Sequence, residues 1–167
     1  AYAFIGRLVG SEMCIRDRSI ELINYEADDL IATYSEQIIK KGGDVTIVSS
    51  DKDLMQLYKK NIRIYDPMKN KFINEEDIQK KFGVKAEKVI DVQSLAGDSS
   101  DNVPGVPGIG IKTAAELINE YGTLENLLSN SKNIKQNKRR ETLIENKQKA
   151  MISKKLVTLK KDVPVKV

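Results

Sequence analysis

Glu26-Ala27-Asp28-Asp29, Asp51-Lys52-Asp53 and Asp98-Ser99-Ser100-Asp101 gather seven carboxylates into three short clusters, and the last runs into Gly105-Val106-Pro107-Gly108-Ile109-Gly110. Carboxylates that converge in a fold repel by about 4 kcal/mol per pair at about 4 Å in a medium of effective dielectric about 20, so convergence calls for a cation. Two divalent ions about 3.5 to 4 Å apart could be held by this number of acids, one activating water and the other stabilising the leaving oxygen of an in-line phosphoryl displacement. Oxygen ligands favour magnesium or manganese over softer metals. The glycine hairpin suits a phosphate instead. Gly105, Gly108 and Gly110 permit positive φ and close backbone approach. The helix after the hairpin exposes N–H groups able to bind phosphate oxygens, and Lys112 and Thr113 add a charge and a hydroxyl. Together these features point to metal-dependent chemistry on a nucleic-acid backbone.

Each feature also has a purely structural explanation. On a helix, Glu26 and Asp29 lie three apart on one face, with Asp28 turned toward the rim, and acids in a first turn offset the helix dipole. Asp51 and Asp53 could cap the next helix, and Asp98 or Asp101 could be turn residues. The hairpin could be a tight helix-helix turn without a ligand. It is not a P-loop, because the Gly-x-Gly-x-Lys-Thr spacing lacks four residues between its glycines. The placement of all three acid clusters, where strands or helices hand over to loops, favours chemistry.

The elements that must position these residues alternate. Ser19 to Ile23 reads as a short strand, and Asn24 as the cap of a helix running to about Lys41, with Ala27, Ile31, Tyr34 and Ile38 as its buried stripe and Gly42-Gly43 as its stop. Val45 to Val48 is a β-branched strand, which puts Asp51 and Asp53 at its carboxyl end, the edge where α/β sheets bind ligands. Leu54 to Lys60 reads as helix, Ile62 to Tyr65 and Lys71 to Ile73 as strands, and Glu75 to Phe82 as a helix capped by Asn74 and ended by Gly83. Helices come next over about Ala86 to Ala96, Lys112 to Tyr121 and Leu124 to Leu128, with a long basic amphipathic one from Lys138 to about Leu159.

Composition narrows the chemistry. The 167 residues suffice for one sizeable core with a small helical appendage. Histidine is absent, which removes Ser-His and Cys-His nucleophiles, a histidine base and His-containing zinc sites. Cys14 is the single cysteine, so no internal disulfide or cysteine zinc site is expected, as suits a cytoplasmic protein. No apolar run approaches the roughly 18 residues that span a membrane. Residues 132 to 167 hold 12 Lys/Arg against 3 Asp/Glu, net +9, leaving 16 against 21, net −5, for residues 1 to 131. A basic tail behind an acidic body suits a polyanion held while metals neutralise the acids, although a solvated lysine-rich helix has the same composition. Residues 1 to 18 carry no clear period and read as foreign to the rest of the chain.

Tyr25-Glu26-Ala27-Asp28-Asp29, Ser50-Asp51-Lys52-Asp53-Leu54, Leu95-Ala96-Gly97-Asp98-Ser99-Ser100-Asp101-Asn102 and Val103-Pro104-Gly105-Val106-Pro107-Gly108-Ile109-Gly110-Ile111-Lys112-Thr113-Ala114 resemble, in order, the motifs of the bacterial 5′-to-3′ exonuclease and flap endonuclease family. The nearest branch is the N-terminal nuclease domain of DNA polymerase I. The resemblance runs from about Ser19 to Val167. It implies an α/β fold, with a mostly parallel sheet flanked by helices as in PIN and flap nucleases, and a helical C-terminal part holding a helix-hairpin-helix motif. It divides the chain into a foreign 1–18, a nuclease core over 19–97 and a DNA-binding subdomain over 98–167. It also implies that Glu26, Asp28, Asp29, Asp51, Asp53, Asp98 and Asp101 are metal acids for two magnesium or manganese ions, with Asp51, Asp53, Asp98 and Asp101 catalytic. Gly105, Gly108, Gly110, Lys112 and Thr113 would grip duplex DNA with a 5′ end or flap, with a potassium ion at the hairpin. The protein would act as a monomer, with a polymerase domain following in the parent chain. The family's first sheet strand, two further aspartates and a basic arch are not visible before Ser19, so the chain resembles the back two-thirds of a nuclease domain with impaired activity. A non-catalytic duplex-binding module and an RNA-directed nuclease are the competing readings.

Overall fold

The computed structural model describes residues 19–165; the foreign character expected of residues 1–18, Cys14 included, lies outside the described residues. The chain forms two compact units, one up to Ile73 joined by Leu159 onward, the other from Asn74 to Thr158.

In the first unit, helix α1 (Ala27–Lys40) leads to strand β1 (Val45–Val48), a 3₁₀ turn (Asp53–Leu57), and strands β2 (Ile62–Asp66) and β3 (Lys71–Ile73). β1 pairs parallel with β2 in the register Val45 to Ile62 through Val48 to Tyr65, and β3 folds back antiparallel on β2. Ile47, Ile62, Ile64 and Ile73 from the sheet, Leu30 and Ala32 from α1, and Leu54, Met55 and Leu57 from the turn are buried. Gly42, at φ 81, ends α1 as expected.

Three local expectations fail in this unit. Ser19 to Leu22 form no strand, and Ile23-Asn24 make a turn in which Asn24 takes a left-handed φ of 71. The cap of α1 is therefore Glu26, in extended backbone. The buried positions of α1 are Leu30, Ala32, Thr33 and Ser35 rather than the Ala27, Ile31, Tyr34 and Ile38 stripe, because a polar strip of the helix is covered by the C-terminal segment that returns to this unit.

The second unit is helical: α2 (Glu75–Phe82), α3 (Val89–Ala96), α4 (Ile111–Tyr121), α5 (Leu124–Ser129), α6 (Asn137–Glu145) and α7 (Lys147–Val157). α2 has the limits its signals predict: Asn74 and Asp77 form a reciprocal capping box, and Gly83 closes the helix in left-handed conformation. The long basic helix expected from Lys138 is instead two, broken at Asn146, whose Nδ2 donates to the Thr142 carbonyl at 2.9 Å. An asparagine that competes for backbone groups in this way favours a helix end over a helix interior. Phe82, Leu95, Ile118, Leu124, Leu127 and Leu143 are the large side chains at the centre of this unit.

Backbone bonds close the loop between α3 and α4. Asp98 and Val103 exchange N–H···O bonds of 2.9 and 2.8 Å, and the Val106 N–H donates to the Leu95 carbonyl at 2.7 Å. Gly97 and Gly105 meet where the strands of this loop cross: a Cβ on Gly105 would lie 2.5 Å from the Gly97 nitrogen, and one on Gly97 2.8 Å from the Val103 oxygen. Both glycines are left-handed, at φ 72 and 58. Gly105→Ala is therefore expected to cost about 1–2 kcal/mol for the backbone conformation alone, with the clash added. Gly108, also left-handed but facing open space, should lose only the backbone part on substitution by Ala. Denaturant unfolding of the two variants checks the difference; equal losses would mean the crossing is looser than its geometry.

Candidate functional site

The first unit brings together the acids of two sequence clusters. α1 starts at Ala27, so Glu26 stands outside the helix as its cap, and the face expected to unite Glu26 with Asp29 does not form. Asp28 takes the central place instead. Its carboxyl is pushed up to about 6, first by burial and then by the charges of Asp51, Asp53, Glu26 and Asp29. Burial and like charges both disfavour ionisation, so the shift registers real convergence of α1 with the end of β1. Asp51 is exposed and Asp53 half-buried. The Asp51 Oδ1 accepts the Asp53 N–H at 2.9 Å, and the Ser49 Oγ accepts the Asp51 N–H at 3.0 Å. These bonds fix a turn whose next residues, Leu54 and Met55, are anchored in the core.

Asp29 has a different partner. Its Oδ1 accepts the backbone N–H of Lys160 at 2.8 Å, in the segment that returns to this unit after α7. Thr33 and Gln37, one and two helical turns further on, meet the same segment: the Thr33 hydroxyl donates to the Lys160 carbonyl at 3.3 Å and accepts the Val163 N–H at 3.2 Å, and the Gln37 Nε2 donates to the Val165 carbonyl at 3.2 Å. Sequence reasoning missed these residues. The signal was available in the spacing of Asp29, Thr33 and Gln37, a polar row at intervals of four on a helix face.

In the second unit Asp98 and Asp101 occupy the closed loop after α3, Asp98 half-buried and Asp101 exposed. The Asp98 Oδ1 accepts the Ser100 N–H at 3.0 Å, a turn role of the kind expected. The hairpin continues from this loop. The Gly105 N–H donates to the buried Ser153 Oγ of α7 at 3.0 Å, while Val106 and Ile109 are buried and hold the turn from inside. Gly108 and Gly110 are exposed with no atom near the position a Cβ would take. Gly110, at φ −88, caps α4 without a side chain, so the first N–H groups of the helix are open to a ligand beside the exposed Lys112 and half-exposed Thr113.

Lys154 of α7 binds the second unit together. Its Nζ lies 2.7 Å from both Asp91 of α3 and Glu125 of α5. Burial pulls the Lys154 pKa down, but the hydrogen bonds and charges of the two carboxylates outweigh it and raise it overall, and Lys154 in turn holds Glu125 below the ordinary range. Among the described residues, no helix is long and apolar enough to cross a membrane.

Known proteins match this arrangement over nearly its whole length. Residues 12–83 fit the family described as 5′-3′ exonuclease, N-terminal resolvase-like domain, and residues 84–167 fit 5′-3′ exonuclease, C-terminal SAM fold. The chain is 56% identical over 146 residues to DNA polymerase I of Rhizobium leguminosarum, covering 87% of this chain and 14% of that protein. It is 41% identical over 154 residues to the 5′-3′ exonuclease of Buchnera aphidicola subsp. Acyrthosiphon pisum, covering 89% and 54%. The structure of T5 5′-exonuclease with divalent metal ions (zinc) bound superposes with a TM-score of 0.78 at 24% identity, over 85% of this chain and 53% of that one. At that identity the likeness is one of fold, and it carries the α/β body and helical C-terminal part read in the sequence. The chain thus spans about half, or much less, of the length of these relatives, and within that span it belongs to the 5′-3′ exonuclease family.

Proposed function

We propose that this chain is part of a metal-dependent nuclease that hydrolyses phosphodiester bonds at the 5′ ends or flaps of DNA during replication and repair. The observation that carries the reading is the crowding of Asp28 among Asp51, Asp53, Glu26 and Asp29. A fold gains nothing from such repulsion unless a cation enters. The donor atoms there are all carboxylate oxygens, which fit magnesium or manganese. We assign Glu26, Asp28, Asp51, Asp53, Asp98 and Asp101 as the acids that hold two such ions, with Asp51, Asp53, Asp98 and Asp101 nearest the reaction. Bound there, divalent cations supply Lewis acidity for in-line displacement at phosphorus.

The protein's own residues would then divide the work. Asp28 would offer its carboxylate to a cation from among the other acids, and Asp51 keeps the turn that aims Asp53. The open N–H groups at the start of α4, with Lys112 and Thr113, hold a DNA phosphate, and Gly108 and Gly110 let the backbone come close. A potassium ion at the hairpin, action as a monomer, a polymerase domain in the parent protein and a cytoplasmic location belong to the same reading.

A second reading, a non-catalytic duplex-binding module, is favoured by one fact: the hairpin and the start of α4 lie wholly within the second unit. A 5′-flap DNA with Mn²⁺ separates the two. Cleavage that ends with EDTA and is lost in Asp53→Asn supports the nuclease; binding without cleavage in any divalent metal supports the module. Under either reading Lys112→Ala should weaken duplex binding and reduce the log-log salt slope by about 0.9, one phosphate contact.

The raised Asp28 pKa gives a stability test. A group whose folded pKa lies above its unfolded value of about 4 stabilises below that value and loses the contribution as pH rises through the folded one. Without divalent metal, Asp28→Asn should therefore gain Tm over the parent as pH climbs from about 4 past about 6, and stay more stable at pH 8. Mn²⁺ should raise the parent's Tm at pH 8 far more than at pH 5, because cation and proton compete for the same carboxyl. A Tm difference that is flat with pH would remove Asp28 from the centre of the cluster.

A further inference from the structure

We propose that the returning segment Leu159–Val165 is a clamp that sets where the acid-bearing start of α1 stands against the turn after β1, and that Asp29 serves the clamp as an acceptor instead of holding a cation. The proposal rests on the metal-site reading above and goes beyond it by giving one of the family-motif acids a positioning role.

The segment touches both pieces of chain that carry the clustered acids of the first unit, α1 with its entry and the turn after β1. At α1 it uses the row Asp29, Thr33 and Gln37, whose side chains take up Lys160 N–H, Lys160 carbonyl, Val163 N–H and Val165 carbonyl. Beside that row Lys161 lies 3.6 Å from Glu36. At the turn, the Leu159 N–H donates to the Gln56 Oε1 at 3.3 Å, three residues after Asp53. At the entry to α1, the Lys160 Nζ sits 4.9 Å from the centre of the Tyr25 ring, directly before Glu26. Val163 is buried against this unit, and Thr33 is wholly so, at 0% exposure.

This bonding has direction. Short helices and irregular turns drift unless tied by specific groups, and a backbone segment bonded to both ties each to the same reference. Thr33 matters most, because its hydroxyl both donates and accepts within one buried link. Asp29 differs from Asp28 for the same reason: the Lys160 N–H satisfies one of its oxygens, whereas the charges that bear on Asp28 are all acidic. Groups that orient metal ligands from behind typically cost about 10- to 100-fold in metal affinity when removed.

Mn²⁺ binding to the whole chain, followed by the electron paramagnetic resonance of the free ion, and hydrogen exchange at the Lys160 and Val163 amides test the clamp together. Thr33→Val and Asp29→Ala should each weaken Mn²⁺ binding by about tenfold and speed exchange at those amides. Thr33→Ser and Asp29→Asn, which keep the oxygen acceptors, should stay within about threefold of the parent, on the scale of a lost neighbouring charge. Asp28→Asn should weaken binding at least as much as either broken clamp, with the amides still protected. If Asp29→Asn loses Mn²⁺ as severely as Asp28→Asn, Asp29 is a ligand and the proposal is wrong. It is equally wrong if Thr33→Val frees the amides and leaves Mn²⁺ affinity untouched, since the segment would then be structural only. A parent chain that binds no Mn²⁺, or an Asp28→Asn that binds it unchanged, overturns the metal-site reading and the positioning role with it.

Discussion

Mutual repulsion among carboxylates is the constraint to which the first unit is built. Asp28 is half-buried with four other acids in electrostatic reach, an arrangement that an unliganded fold would relax by turning side chains outward or letting the segments separate. The force that opposes separation is apolar. Ile62 and Ile64 of β2 are fully buried behind Ile47 of β1, and Leu54, Met55 and Leu57 sink the turn that begins at Asp53 into the same core. The acids thus ride on elements whose positions are set by hydrophobic burial and sheet register. Sites of this kind trade stability for binding.

The second unit solves another problem, holding an open backbone surface still. The hairpin, with left-handed glycines at 105 and 108, packs Val106 and Ile109 inward and leaves Gly108 and Gly110 exposed. Its rigidity is borrowed from the crossing of Gly97 and Gly105 and from α7, where adjacent residues serve two ends of one purpose. Ser153 receives the Gly105 N–H, and Lys154 draws Asp91 of α3 and Glu125 of α5 together. A displacement of α7 would therefore loosen the hairpin and the helix pair at once. Asp98 shares in this, since its backbone closes the loop that ends at Val103, two residues before Gly105. The acids of the third cluster and the glycine turn are one rigid piece, in keeping with their adjacency along the chain.

Where signals are local, the sequence was readable to the residue. β3 and α2 have the limits expected, because Asn74 with Asp77 and the left-handed Gly83 specify a start and a stop within one short span. Asp51 and Asp53 stand past the end of β1 for the same kind of reason. The failures all involve distant partners or competing local bonds. The buried side of α1 departs from its apolar stripe because Thr33, a polar residue, is covered by Lys160 and Val163 from far along the chain, which no periodicity of apolar residues can announce. The basic helix expected from Lys138 breaks in two because a side-chain bond from Asn146 to the Thr142 carbonyl ends α6, although the lysines continue past it. Its end near Leu159 also concealed the return to the first unit, since Thr158 closes α7 and the extended residues beyond it carry no turn signal of their own.

Asp28 and Asp29 show why a motif names a site more reliably than it assigns roles within it. They are neighbours of identical chemistry at the start of one helix, about 100° apart around its axis. That rotation takes one carboxyl toward Asp51 and Asp53, where every nearby charge makes ionisation costlier, and the other to a backbone N–H. An acid already satisfied by an amide gains less from a cation than one held among other acids, because the amide has relieved part of the electrostatic cost that the cation would otherwise remove. Glu26 stands outside α1 in extended backbone, so the shared face with Asp29 that the spacing suggests does not form.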